Sequence, residues 1–232
     1  MDLLWQGMKQ AAWLLYHGDR EVLEITLLSI AVSTAATVLS LLVGLPLGTF
    51  LGLKQFPGRN FVVSLVNTGM GLPPVVVGLF VTILLWRSGP LGFLELLYTP
   101  TAIVAAQLVI ALPVVTGLTI AAVQQIDPRL GLQLLGLGAS RTQLYWLLLR
   151  EARLPLLAAI MAGFGAVISE VGASIMVGGN ILHRTRVLTT ATVLETSKGN
   201  FDVAIALGIV LLAITFLINW ALTTVQQRAG HR

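Results

Sequence analysis

Charged residues punctuate this chain at wide intervals, and the apolar runs between them set the elements. Glu24 and Lys54 enclose 29 uncharged residues, Arg59 and Arg87 enclose 27, and Glu95 and Asp127 enclose 31. A fourth run extends from Leu154 to about Met176 with Glu170 as its one charge, and a fifth, Val203 to Gln227, has none. At about 1.5 Å of helical rise per residue, each reaches across a hydrocarbon core of roughly 30 Å. Helices are the default, because an open strand leaves backbone groups unpaired in lipid. The pattern predicts an all-α integral membrane protein of about five transmembrane helices, forming one domain over residues 1–232. Before the first span, Leu4, Met8, Ala11 and Leu15 share a stripe flanked by Trp5, Trp13 and Tyr16. That is the pattern of an interfacial helix over residues 1–20. The acidic start and the lack of an A-x-A site argue against a cleaved signal peptide.

Interruptions within the runs carry more information than the runs themselves. The first span holds Ala36, Ser40, Gly44, Gly48 and Gly52 at four-residue spacing. Such a row admits a close neighbour, unless it only reflects how common glycine is in membrane helices. In the second, Gly69-Met70-Gly71-Leu72-Pro73-Pro74 removes two backbone donors and ends any regular helix. Irregular backbone at membrane depth lines a wet cavity or is buried in protein, so this segment is a candidate path; the alternative is an interfacial turn before a helix from Val75 to Trp86. The stretch 127–153 reads as two short helices: Asp127-Pro128 is a start signal, Leu130, Leu134, Leu135 and Leu137 follow, and Gly138-Ala139-Ser140 makes a break. Together they would form a knob for a soluble partner, or a plain surface loop.

Composition agrees with a membrane location: 56% apolar residues, 10% charged residues and a mean hydropathy of +0.89 exclude a soluble domain. The 14 basic residues form no run, so a nucleic-acid partner is not expected. With the first span starting outside, Lys54, Arg59, Arg129, Arg141, Arg150, Arg153, Arg228 and Arg232 face the cytoplasm, eight cations against six. This places the N-terminus outside and the C-terminus inside. The absence of cysteine removes disulfide and thiol chemistry. No G-x-x-x-x-G-K-[ST], HExxH or G-x-S-x-G occurs, and His17, His183 and His231 are too dispersed for a metal site. No catalytic residue and no bound cofactor are expected.

Gly138-Ala139-Ser140 and the later Leu154-Pro155 resemble the coupling segment of the inner-membrane components of binding-protein-dependent ABC importers. The Glu-Ala-Ala of that pattern is replaced by Leu132, Gln133 and Leu134, and the gap to Pro155 is about one helical turn longer. Leu72-Pro73-Pro74-Val75-Val76-Val77-Gly78, Ser169-Glu170-Val171-Gly172-Ala173 and Gly178-Gly179-Asn180-Ile181 resemble the molybdate and tungstate permeases. Arg184-Thr185-Arg186, Leu188-Thr189-Thr190-Ala191 and Leu194 to Asn200 bring the chain nearest to the tungstate branch, over roughly Glu21 to Gln227. The resemblance implies a permease core over 21–227 and a second copy of the chain. It also implies two cytoplasmic ATPase subunits using ATP and Mg, an external anion-binding protein, and a place for this chain in the cell (inner) membrane. Leu130, Leu134, Leu135, Gly138, Ala139, Ser140, Gln143, Leu144 and Tyr145 would then receive the ATPase stroke.

Glu170 is the one ionisable group well inside a span, a functional suspect by default. A carboxylate lining the path would repel a doubly charged oxyanion, so it is expected to brace the following loop through backbone amides, Arg184 or Arg186, in preference to gating or proton coupling. Helical spacing puts it on the row Ala158, Ala162, Ala166. No Lys or Arg lies within a span, so the path or gate should rely on neutral groups and broken helices at Asn67, Thr68, Pro73, Pro74, Ser169, Ser174 and Asn180. His183, Arg184, Arg186 and Lys198 follow in an external loop suited to guiding an anion or docking its carrier, or simply solvated.

Overall fold

A computed structural model of the chain describes residues 5, 7–10, 13 and 19–230. Among the described residues all regular structure is helical. The order is α1 (Arg20–Leu53), α2 (Arg59–Met70), α3 (Pro74–Leu85), a 3-10 turn (Gly92–Leu94), α4 (Pro100–Gln124), α5 (Pro128–Gly136), α6 (Arg141–Glu151), α7 (Arg153–Ile168), α8 (Gly172–Gly178), α9 (Leu188–Ser197) and α10 (Phe201–Gly230). Helix starts carry the expected local signals. The Asp19 carboxylate accepts from the Val22 amide at 3.1 Å, and Ser140 and Gln143 form a reciprocal capping box. Pro74 and Pro100 sit in first turns, where a missing N–H costs nothing. The interfacial helix expected over residues 1–20 falls largely outside the described residues; of that stretch, Gly7 sits against Ile205 of α10.

Helices α1, α4 and α10 are each long and apolar enough to cross a membrane alone, and two bent pairs complete the set. One pair, α2 and α3, turns by 103°; the other, α6 and α7, turns by 71°. The fourth run is therefore not one helix. It breaks after Ile168, and α8 resumes at Gly172.

The spine is α1 against α4, and the small-residue row makes it. A Cβ on Gly44 would lie 2.9 Å from Val115, and one on Gly48 would lie 2.6 Å from Thr119 and 2.7 Å from the Thr116 carbonyl. Gly52 meets Val123, while Ala36 and Ser40 are fully buried. Because lipid tails are as apolar as the side chains, such close backbone approach replaces hydrophobic collapse as the cause of association. From the other side α2 seats on α4: Gly69 touches Pro113 and Met70 touches Gly117. A second cluster of Val22, Ile25, Leu188, Ala191, Leu207 and Val210 joins the start of α1 to α9 and α10.

Candidate functional site

Glu170 is buried, 5% exposed, in the break between α7 and α8. One carboxylate oxygen accepts from the Ala173 amide at 2.7 Å. The other accepts from the Ser174 amide at 3.0 Å and the Ser174 hydroxyl at 2.8 Å. The side chain thus fills the N-terminal cap of α8, where backbone N–H groups and the helix dipole favour negative charge. Its main-chain carbonyl accepts from the Thr189 hydroxyl at 2.9 Å, which ties the break to α9.

Of the braces expected for Glu170 the backbone amides are the ones formed, while its place on a helix row needs correction. Arg186 donates to Glu21 at 3.2 Å and takes no part in holding Glu170, because the loop after α8 turns toward the start of α1. Glu170 also leaves the row Ala158, Ala162, Ala166, since α7 ends at Ile168. The buried face of α7 is Leu156, Ala159, Gly163, Phe164 and Val167, whereas Ala158 and Ala162 are exposed. Ser174, placed on the path from sequence, is 1% exposed and committed to the cap.

The proline break lies against this one. Val75 packs on Gly172, and Gly78 meets Ala173. Gly69 touches Pro113, which stands midway along α4, so the turn between α2 and α3 lies level with the middle of that helix. Asn67, Thr68, Pro73, Pro74 and Ser169 are all exposed in the single chain. The hydroxyls of Thr68 and Ser169 turn back to the carbonyls of Ser64 and Gly165, at 2.8 and 2.7 Å.

Asn180, at φ 50°, is a cross-tie: its amide donates to the Thr190 carbonyl at 3.3 Å and its oxygen accepts from the Thr190 hydroxyl at 3.0 Å. Beyond it, basic side chains meet acidic groups of α1 and α9. His183 pairs with Glu24 at 2.8 Å, and Lys198 with Glu195 at 2.8 Å. Hydrogen bonds from Asn200 and Lys198 hold the Glu195 carboxyl below its usual range. A cavity of about 410 Å³ at this end is lined by Glu21, Glu24, His183, Arg184 and Arg186, so its charge is mixed and not purely attractive to anions.

At the opposite end the predicted knob is present. Asp127 caps α5 through the Arg129 amide at 2.8 Å, and Gly138, at φ +85°, makes the turn that lets Ala139 N–H reach the Leu134 carbonyl. Leu130, Leu134, Leu144 and Tyr145 are half-buried, while Leu135, Gly138, Ser140 and Gln143 are exposed. Leu132, Leu137 and Trp146, at 71%, 84% and 60% exposure, extend the exposed apolar surface, and none of the three is among the coupling residues expected from the sequence.

Two further residues were missed. Gln107 of α4, 2% exposed, donates to the Val167 carbonyl at 3.1 Å and so caps the end of α7 beside Glu170. Its sequence signal was a lone amide in an apolar run. Arg59, 9% exposed, donates through Nε to the Leu51 carbonyl at 2.7 Å and clamps the start of α2 onto the end of α1.

Residues 44–231 match the family described as binding-protein-dependent transport system inner membrane components. The chain belongs to this family. It is a membrane component of a transport system and not itself an enzyme. Among its relatives, a probable anion ABC transporter permease of Haloferax volcanii is 44% identical over 203 residues, covering 85% of this chain and 88% of that one. The tungstate uptake permease TupB of Peptoclostridium acidaminophilum is 39% identical, covering 98% of this chain and all of that one. TupB of Campylobacter jejuni is 36% identical over 95% of this chain and 92% of its own length. In fold, the inward-facing MetNI methionine ABC transporter is similar at a TM-score of 0.75 and 21% identity, over 94% of this chain and 97% of that one.

Proposed function

We propose that this chain is the permease subunit of an ATP-driven importer whose cargo is tungstate. The observation that carries the proposal is end-to-end similarity to two tungstate uptake permeases at 39% and 36% identity, against 26–29% for sulfate and molybdenum permeases. Two copies would enclose the path, with the Pro73-Pro74 and Glu170 breaks supplying backbone at mid-depth. An external binding protein delivers the anion at the His183 to Arg186 end. Two ATPase subunits, using ATP and Mg, grip the apolar surface around Gly138. The N-terminus then lies outside and the C-terminus in the cytoplasm.

A proton-coupled carrier running on Glu170 is disfavoured, because both carboxylate oxygens are committed to the cap of α8. Molybdate is the nearer rival, being close to tungstate in size and charge. Uptake by the complete assembly, with its own binding protein and both oxyanions in competition, discriminates them. Tungstate is expected to suppress molybdate entry at equal concentration; preferential molybdate entry overturns the assignment.

A further inference from the structure

Helix α2 is polar in a way the other membrane helices are not. Asn60, Ser64, Asn67, Thr68 and Gly71 gather, at about 100° per residue, within one arc of roughly 100°. All five are exposed, and they lie opposite the face on which Gly69 and Met70 pack against α4. Apolar Phe61 and Leu65, 69% and 56% exposed, occupy the flank. Depth follows from two contacts: Arg59 ties the first turn of α2 to the end of α1, and Gly69 meets Pro113 midway along α4. In the proposed topology the stripe therefore runs through the inner half of the membrane.

Among the described residues, no hydrogen bond engages the side chains of Asn60, Ser64 or Asn67, in contrast to the Thr68 hydroxyl turned back to its own helix. Free amide and hydroxyl donors at such a depth do not face hydrocarbon, where each would be unpaired. They follow one another at rises of about 6 and 4.5 Å, a ladder of neutral donors whose neighbouring cation, Arg59, is turned to the Leu51 carbonyl. Neither Lys, Arg, Asp nor Glu occurs between Asn60 and Trp86.

We propose that Asn60, Ser64 and Asn67 form a low-affinity subsite for a tetrahedral oxyanion, with Asn67 the first contact below the Gly71 to Pro74 break. This rests on the importer reading and specifies where its cargo touches the permease. Neutral donors in series suit passage, since a transported ion must enter each site yet leave it readily. Asn67 also reads chemistry, donating to oxyanion oxygens without demanding charge.

The chain lacks cysteine, so single cysteines report directly. In the complete assembly reconstituted in vesicles, Asn67→Cys should react with a membrane-impermeant thiol reagent and react more slowly when tungstate saturates the turning-over complex. Leu65→Cys, on the flank, should stay unreactive. Asn67→Asp should lower tungstate uptake by about tenfold or more, as a loss near 1.4 kcal/mol implies, while binding-protein-stimulated ATP hydrolysis persists and Asn67→Gln restores uptake. An unreactive Asn67→Cys, labelling indifferent to tungstate, or wild-type uptake by Asn67→Asp each overturns the subsite. A wild-type assembly that carries no tungstate defeats the importer reading instead.

Discussion

Glu170 shows how one side chain can be read as function or as architecture, and its geometry favours architecture. Three donors converge on its two oxygens, and removing a partner from a buried charged hydrogen bond costs about 1–3 kcal/mol or more. Glu170→Gln keeps one acceptor but sets an NH₂ against either the Ala173 or the Ser174 N–H. The expected result is fewer assembled complexes with near-normal uptake per surviving complex, measured by size-exclusion yield and by transport normalised to it. Full assembly with abolished uptake would make the carboxylate a gate. That Glu170 mattered was legible, because an isolated charge in an apolar run demands a partner. Which partner was not legible: the choice among Ala173, Ser174, Arg184 and Arg186 depends on α7 ending at Ile168, which no local residue pattern announces. The residues expected on the path separated similarly, with Asn67 and Thr68 left exposed while Ser174 is held in the Glu170 cap and Asn180 is tied to Thr190 of α9.

Among the helices, the α1–α4 pair was the most readable, since a four-residue row of small side chains has one efficient use in a bilayer. Gly48→Ala places a methyl 2.7 Å from the Thr116 carbonyl, a backbone atom that cannot swing away. Overpacking of this kind costs about 1–3 kcal/mol, and a lower thermal midpoint in detergent is the expected outcome; an unchanged midpoint would mean that α1 and α4 separate freely. Both breaks were signalled by glycine and proline, yet their mutual contact through Val75, Gly172, Gly78 and Ala173 was not, because it joins residues almost a hundred positions apart. The knob was visible in its Gly138 turn and Ser140 cap. A Cβ at Gly138 meets nothing within 4 Å, so bulk there leaves the fold's packing alone and obstructs only what docks outside; the positive φ adds strain of about 1–3 kcal/mol. Gly138→Trp is accordingly expected to release the ATPase subunits during co-purification while the permease itself remains soluble in detergent. Retention of the ATPase would place the grip elsewhere.

At the scale of the molecule, the exposed apolar surface is explained by surroundings the single chain lacks. Phe80 of α3 and Leu212, Phe216 and Trp220 of α10 are all more than 60% exposed, a distribution suited to lipid and untenable in water. The sequence alone revealed this membrane character and the five hydrophobic runs, because charge spacing reports it directly. The expected assembly was legible only through resemblance, since Leu132, Leu137 and Trp146 look like ordinary apolar residues until their exposure is known. The chain carries no G-x-x-x-x-G-K-[ST] segment, and in its family ATP hydrolysis belongs to a separate subunit. The most direct measurement compares tungstate accumulation by vesicles holding the permease alone with accumulation by vesicles holding permease, ATPase and binding protein. Uphill accumulation that requires all three components and ATP is the predicted result; accumulation against a gradient by the permease alone would contradict it.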